Sequence, residues 1–435
     1  MVKSSSSRKT AEEKVKVKKN TKKDRSPTMT NKGFKALMAK LETTPTSTSN
    51  RAYIGLPEHA LRVGSDCAGL MSESLALHNL GVKHTNVFVA EVNPTLLELL
   101  KHKHPEAKFT ADLMTRNDST DTEQVDIYTF GAPCQPWSPA GKQQGNKDKL
   151  NRNFILWKCI SYIHDKLPRA VISENSHAFA YKKFTKVRHK ITSLIRSYGY
   201  NVWWKVLNTK DFGIPQHRKR FYLVAIKNEA LKRNFKFPAP TPACLPLNTL
   251  LEMPGVPGRP RPPATDRAKF IKRQALKKFK AKQIVPSVST PCVIDINASP
   301  DYASQMAAVS PTLTATRCTQ NGHYIALRKG MMRFNEMCRL QGMHPKIMED
   351  ALTFLRQQHT EAHSLRVLKH AIGNAMSVNV LMAIMVRVLP AAGLVQPHQL
   401  SKPSLNTIQQ CIGIAADDFD LFESGCPDLI IQSTS

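Results

Sequence analysis

From Leu61 onward, short runs of β-branched and aromatic residues alternate with amphipathic segments of helical period, and this alternation leaves few folds open. The pattern predicts strands at Leu61–Val63, Val87–Val92, Phe109–Asp112, Val125–Phe130, Ala170–Glu174, Val202–Leu207 and Phe221–Ile226. Helices are expected between them, at Ser72–Leu80, Thr95–His104, Asn153–Lys166 and Phe184–Tyr198. In Asn153–Lys166 the residues Ile155, Cys159, Ile160 and Ile163 share one face. Repeated βα units of this kind specify an α/β fold: a doubly wound, mostly parallel sheet with helices on both faces. Open sheets of this type bind ligands outside the carboxyl ends of their strands.

One strand end stands out. After Val125–Phe130 comes Gly131-Ala132-Pro133-Cys134-Gln135-Pro136-Trp137-Ser138, where a glycine and two prolines forbid continuation of strand or helix. Cys134 is thus held on a stiffened loop at the sheet edge, where a nucleophilic thiol is useful. An inert core cysteine is the commoner fate of this residue type, but a core position would not need such a loop.

Other strand ends are acidic. Asp66-Cys67-Ala68-Gly69 follows the first strand, with Gly69 allowing close approach to a ligand. Glu91 lies 25 residues after Asp66, near the interval at which an acidic residue accepts from both ribose hydroxyls. Asp112, at the third strand end, is placed to accept from an adenine amino group. Together these residues outline a site for an adenosine-containing ligand.

Pro133-Cys134-Gln135 resembles the catalytic loop of the cytosine-C5 DNA methyltransferases, and further motifs follow in that family's order. Ser173-Glu174-Asn175 resembles its Glu-Asn motif, and Gln216-His217-Arg218-Lys219-Arg220 its Gln-x-Arg-x-Arg. Arg333 to Pro345, containing Arg339-Leu340-Gln341-Gly342, resembles its ninth motif; Ile372 to Val378 resembles its tenth, with Asn374 expected to open a helix beside the cofactor. The resemblance runs from about 62 to 389 and implies a class I, Rossmann-like methyltransferase fold and S-adenosylmethionine as cofactor. It puts Cys67, Glu91, Asp112, Pro133 and Asn374 at cofactor contacts. It also implies Cys134 as the nucleophile that adds to C6 of cytosine, Glu174 as the acid at N3, and Arg218 and Arg220 as the groups that orient and polarise the base. This chain departs from the family pattern where Cys67 replaces an aromatic residue and Met71 and Ser72 stand where glycines are common. Two rivals share these motifs: the tRNA-directed branch of the family, and a catalytically silent DNA-binding scaffold.

Charge points to the same partner. Sixty-three Lys and Arg against 33 Asp and Glu give a net charge of +30. Residues 1–50 carry +9 and residues 227–282 carry +11, which matches a polyanion such as double-stranded DNA. Residues 1–50 are expected to be a disordered basic tail, in which Lys14–Arg25 reads as a nuclear-localisation or DNA-tethering segment. The catalytic domain is expected over 51–227 and 331–396. It is interrupted at 228–330 by a basic, proline-rich insert in the place where the family keeps its target-recognition domain, and an acidic tail follows at 397–435. In the insert, Lys269–Lys282 reads as an amphipathic helix with Ile271, Ala275 and Phe279 spaced by four; Lys272, Arg273, Lys277 and Lys278 are expected to contact phosphates. The nine cysteines form no Cys-x-x-Cys pair, so neither a metal nor a disulfide framework is expected; nor is a membrane span, and the expected location is the nucleus.

Overall fold

The computed structural model describes residues 29–45, 60–137, 152–252 and 265–414. The chain enters with helix α1 (Asn31–Leu41), then builds β1 (Leu61–Asp66), α2 (Ser72–Asn79), β2 (His84–Ala90), α3 (Pro94–Lys103), β3 (Lys108–Thr110), α4 (Asp118–Asp121), β4 (Ile127–Phe130), α5 (Asn153–Lys166) and β5 (Ala170–Ser176). After α6 (Thr185–Ser197) come β6 (Tyr200–Asn208), a two-residue β7 (Gln216–His217) and β8 (Lys219–Lys227). Seven of these strands form one sheet in the order β3-β2-β1-β4-β5-β8-β6. All pairings from β3 to β5 are parallel; β8 runs antiparallel to both β5 and β6. The doubly wound, mostly parallel sheet expected from the alternation is therefore present, with one reversed strand.

Strand parity divides the core. Val63, Ile127, Ala170, Ile172 and Val224 face a large apolar cluster with α2 and the C-terminal helices. Tyr128, Phe130, Val171 and Leu223 face a second cluster with α5 and α6. Both faces of the sheet are thus covered, as its near-continuous apolar strands require.

The tail boundaries expected at 50 and 397 move outward. Residues 29–45 are not a disordered tail. Leu37 and Leu41 of α1 join the second cluster, Phe34 stacks on Phe154 at 4.3 Å, and Lys40 pairs with Asp165 at 2.6 Å. Four apolar positions at helical spacing supplied enough burial to order a segment whose composition reads as polar. Lys14–Arg25 lies outside the described residues. At the other end, Leu400, Ile408 of α14 (Leu405–Cys411) and Ile412 join the first cluster, so residues 400–412 are not part of a tail.

The insert is also narrower than 228–330. After α7 (Leu247–Leu250), α8 (Asp266–Ala281) lies on a four-stranded sheet made by β9 (Cys292–Ile294), β10 (Gln305–Ala307), β12 (Tyr324–Ile325) and β13 (Gly330–Met331), in the order β10-β9-β12-β13. Ala268, Ile271, Ala275 and Phe279 pack on Cys292, Ile294, Ile296 and Tyr324, a core separate from the other two. Phe235, Leu245, Leu247, Leu250, Leu313 and Cys318 belong instead to the first apolar cluster, with β1, β4 and the C-terminal helices. Between the two, β11 (Ser310–Pro311) pairs with β7, and α9 (Ala315–Thr319) leads back towards β12.

Helices α10 (Phe334–Leu340), α11 (Pro345–Arg356), α12 (Glu361–Asn374) and α13 (Val378–Ala391) follow before α14. Asn374 was expected to open a helix; it instead closes α12, and the chain turns at Ala375-Met376-Ser377 before α13. The carbonyls released at this break are captured by side chains. Gln341 Nε2 donates to Ile372 O at 2.8 Å, and Arg218 donates to Gly373 O at 3.2 Å and Ala375 O at 2.7 Å. These bonds satisfy the helix end that the sequence pattern would have carried through.

Candidate active site

The carboxyl ends of β1 to β5 open into one cavity of about 640 Å³. Every expected catalytic or cofactor residue except Arg218 and Arg220 lines it. Glu91 and Asp112 follow β2 and β3 on one side of β1; Cys134 and Glu174 belong to β4 and β5 on the other.

Cys134 is half-buried on its loop. The loop is fixed from three directions. Gly131 N–H donates to Asp66 O at 3.4 Å, Asn175 Nδ2 donates to Ala132 O at 3.1 Å, and Trp137 N–H donates to Cys134 O at 2.9 Å. The Trp137 ring is fully buried and meets Phe179 and Phe184 edge-on at 5.1 and 5.4 Å. A buried tryptophan three residues after the thiol thus anchors what the prolines stiffen.

Glu174 and Asn175 project to opposite faces of β5. Glu174 is 8% exposed, and Arg220 Nε lies 2.9 Å from its Oε1. Burial raises the Glu174 pKa against the opposing pull of Arg220 and Arg218. Arg220 sits two residues before Tyr222, which is directly across from Glu174, so the antiparallel register brings acid and guanidinium onto one face.

Arg218 is placed differently from expectation. It is 1% exposed, and its guanidinium is spent on backbone carbonyls of Leu313, Gly373 and Ala375. Gln216 is equally buried, donating to Leu340 O at 2.6 Å and accepting from Leu313 N–H at 3.0 Å. The Gln-x-Arg half of this motif therefore ties the insert's return segment and the α12–α13 break to β8. Arg220 is the arginine that meets the acid.

On the other side, the Glu91 carboxylate accepts from Gly69 N–H at 2.9 Å and Asn93 N–H at 2.8 Å, and Asp112 accepts from Met114 N–H at 2.9 Å. Each oxygen keeps a lone pair, so these bonds orient the carboxylates and leave them able to accept further. Gly69 lines the cavity at φ +56°, a left-handed backbone angle that favours glycine. Cys67 (φ 54°) and Met71 (φ 51°) hold the same left-handed conformation without being glycine. Met71 is buried with Ala68, Val89 and Leu100, which offsets the strain, and Cys67 hydrogen-bonds the buried Cys159 thiol.

Asp66 is not a free acceptor for a ligand. Arg116 donates to its two oxygens at 2.6 and 2.7 Å, and Tyr128 Oη donates at 2.5 Å. Arg116 also pairs with Asp118, which pairs with Lys158, and all four charged groups are buried. This network braces the floor between β1 and β4. No sequence signal joins Arg116 to a residue fifty positions earlier. Asn374 lines the cavity from the end of α12, with its Nδ2 3.4 Å from His370 Nδ1.

Sequence reasoning missed Glu73, Val92, Leu113, Ile155 and His370, all of which line the cavity. Glu73 reads as an ordinary acid in a first helical turn, and the apolar residues read as core. Their surfaces suit an adenine face, with Glu91 and Asp112 at its polar edges, so the residues present fit an adenosine-containing ligand. Among the described residues no cluster of His, Cys, Asp and Glu suits a metal ion, and no single helix is long and apolar enough to cross a membrane.

In the small domain, Arg273, Lys277 and Lys278 are exposed on α8, while Lys272 is half-buried with its ammonium 5.4 Å from the Tyr324 ring centre.

The family model of C-5 cytosine-specific DNA methylases matches residues 61–389. The chain is 33% identical to the type II methyltransferase M.NlaIV of Neisseria lactamica over 205 residues, 46% of this chain and 45% of that protein. It spans about half the length of the curated relatives it matches. Among solved structures it resembles a putative DNA modification methyltransferase encoded within an E. coli prophage (TM-score 0.51, 17% identity, 76% of this chain and 99% of that one). It also resembles the Entamoeba histolytica methyltransferase EhMeth (TM-score 0.52, 15% identity, 77% and 99%). At these identities the structural likeness concerns the fold.

Proposed function

We propose, because the chain belongs to the C-5 cytosine-specific DNA methylase family, that it is a DNA (cytosine-5)-methyltransferase acting on double-stranded DNA with S-adenosylmethionine as donor. The observation that carries this reading is the single cavity shared by Cys134, Glu174, Glu91 and Asp112. S-adenosylmethionine supplies an electrophilic methyl group there, and Glu91, Asp112, Pro133, Gly69 and Asn374 are the residues that would hold it. The remaining steps belong to the chain.

Carbon 5 of cytosine is too weak a nucleophile to be methylated unaided. The Cys134 thiolate adds to C6, and the electron pair of the C5–C6 double bond becomes available at C5. Charge gathers on the ring as this bond forms. Glu174 shares its proton with N3, and burial, which raises its pKa against the pull of Arg220 and Arg218, favours the protonated form this needs. Arg220 orients the Glu174 carboxyl and, on the same face, polarises the cytosine carbonyl. After transfer, water takes the C5 proton, its electrons re-form the C5–C6 double bond, and the C6–S bond breaks to release the Cys134 thiolate. A base in duplex DNA reaches such a cavity only by rotating out of the stack. Phosphate contacts from Lys272, Arg273, Lys277 and Lys278 on α8 would hold the duplex while it does so.

Incubation with labelled S-adenosylmethionine and matched duplex DNA and tRNA tests the reading. Label in DNA with the native chain, lost in Cys134→Ser, is the expected result. Label confined to tRNA moves the chain to the RNA-directed branch. DNA binding without label in either substrate makes it a silent scaffold. The curated relative named above is bacterial and lends no support to the nuclear location expected from Lys14–Arg25.

A further inference from the structure

Besides Asp66, which Arg116 and Tyr128 hold, the cavity is lined by one carboxyl that the chemistry above does not use. Glu73, the second residue of α2, lines the cavity and is 2% exposed. The hydroxyls of Ser65 and Thr129, which face each other across the β1–β4 register, hydrogen-bond its side chain, as does its own backbone N–H. Its Oε1 is buried and has no hydrogen-bond partner among the described residues. No described lysine, arginine or histidine forms an ion pair with it. Burial pushes its pKa up, the mark of a carboxyl lacking a counter-charge.

An orphaned acceptor in a dry position is costly, so such groups persist where something completes them. The surroundings say what that would be. Glu73 lies under the ends of β1 and β4, between the carboxylates after β2 and β3 and the thiol loop after β4. A ligand whose adenosine occupies the Glu91 and Asp112 side, and whose reactive centre faces Cys134, carries its amino-acid head between them. The first-turn N–H groups of the eight-residue α2 complement a carboxylate. Beside them Glu73 complements an ammonium.

We propose that Glu73 binds the α-ammonium of the donor's methionine moiety, an inference that rests on the reading of the cavity as the S-adenosylmethionine site. It makes Glu73 a selectivity residue: it favours the zwitterionic nucleoside over adenosine derivatives that lack the amino group. It also gives this chain a charged contact next to the loop where Met71 and Ser72 replace glycines.

The test is a cycle of binding measurements by titration calorimetry on the full chain. The ligands are S-adenosylhomocysteine, its deaminated analogue and 5′-methylthioadenosine; the proteins are wild type and Glu73→Gln. Loss of a charge-assisted hydrogen bond predicts that Glu73→Gln weakens S-adenosylhomocysteine about tenfold or more and leaves methylthioadenosine unchanged. The variant and the deamination together should cost no more than either alone. Additive losses, or equal weakening of all three ligands, would overturn the proposal. Should the glutamine variant not fold, Glu73→Met, which removes the buried polar group altogether, gives the same comparison. If wild type binds none of the nucleosides, the reading of the cavity itself fails.

Discussion

Two buried carboxyls, Glu73 and Glu174, have pKa values raised by burial, and this sets how stability responds to pH. A carboxyl whose folded pKa exceeds its unfolded value of about 4.3 stabilises the fold fully below that value. The contribution is lost as pH rises through the folded value. Thermal melts from about pH 4 to pH 8 should therefore show a decline that Glu73→Gln flattens, leaving that variant more stable than wild type near neutrality although it binds donor less well. A variant that declines as steeply as wild type would contradict the assignment. The two arginines of one motif separate in a second experiment. Arg218→Met strands three buried carbonyls and should cost roughly 3 kcal/mol or more of stability. Arg220→Lys keeps a charge near Glu174 but loses the guanidinium geometry, so its melting temperature should stay within a few degrees while methyl transfer falls at least about tenfold. Melting curves and single-turnover rates on the same preparations decide it.

At the scale of elements, the site depends on two contacts remote from the chemistry. Trp137 plugs the thiol loop into the aromatic cluster of Phe179 and Phe184, so loop position is set by core packing. The wall that carries Ala375 and Met376 is set by how closely α12 approaches α9. A Cβ on Gly373 would lie 2.3 Å from Ala315 N and 2.5 Å from Ala315 Cα, both backbone atoms that cannot swing aside. Gly373→Ala must part the helices, and overpacking of this kind costs roughly 1–3 kcal/mol. Because the shift moves Ala371, Asn374 and Met376 of the cavity wall, donor affinity should fall with stability; calorimetry beside a denaturant melt reads both. Unchanged affinity in a destabilised Gly373→Ala protein would show that the wall is not held by this contact.

For the whole molecule, charge and architecture cooperate. The +30 net charge steers a polyanion to the surface, and the small domain presents part of it on the outer face of α8. If Arg273, Lys277 and Lys278 each contact a phosphate, replacing all three with alanine lowers the slope of log K against log salt by about 0.9 per lost contact. Fluorescence anisotropy over a range of salt concentrations gives the slope. An unchanged slope would remove α8 from the interface. Lys272, drawn over Tyr324, should matter less than its neighbours.

Much of the fold could be read from the chain alone. Period-two and period-3.6 patterning is local, and it marked the strands and helices of the catalytic sheet and the packing face of α8 within a few residues. The acid, the thiol and the arginines stand at strand ends, and strand ends converge in any sheet of this class, so Cys134, Glu174, Glu91 and Asp112 were legible as one site. What patterning misses is direction and pairing over long separations. Whether Arg218 faces the cavity or three carbonyls, whether Asp66 meets a ligand or Arg116, and whether α12 breaks at Asn374 depend on which atoms of distant segments arrive with unmet hydrogen bonds. Only tertiary packing decides that, because each buried polar group takes the partner that the fold brings to it. Glu73 is the remaining case: among the described residues, its Oε1 has no partner.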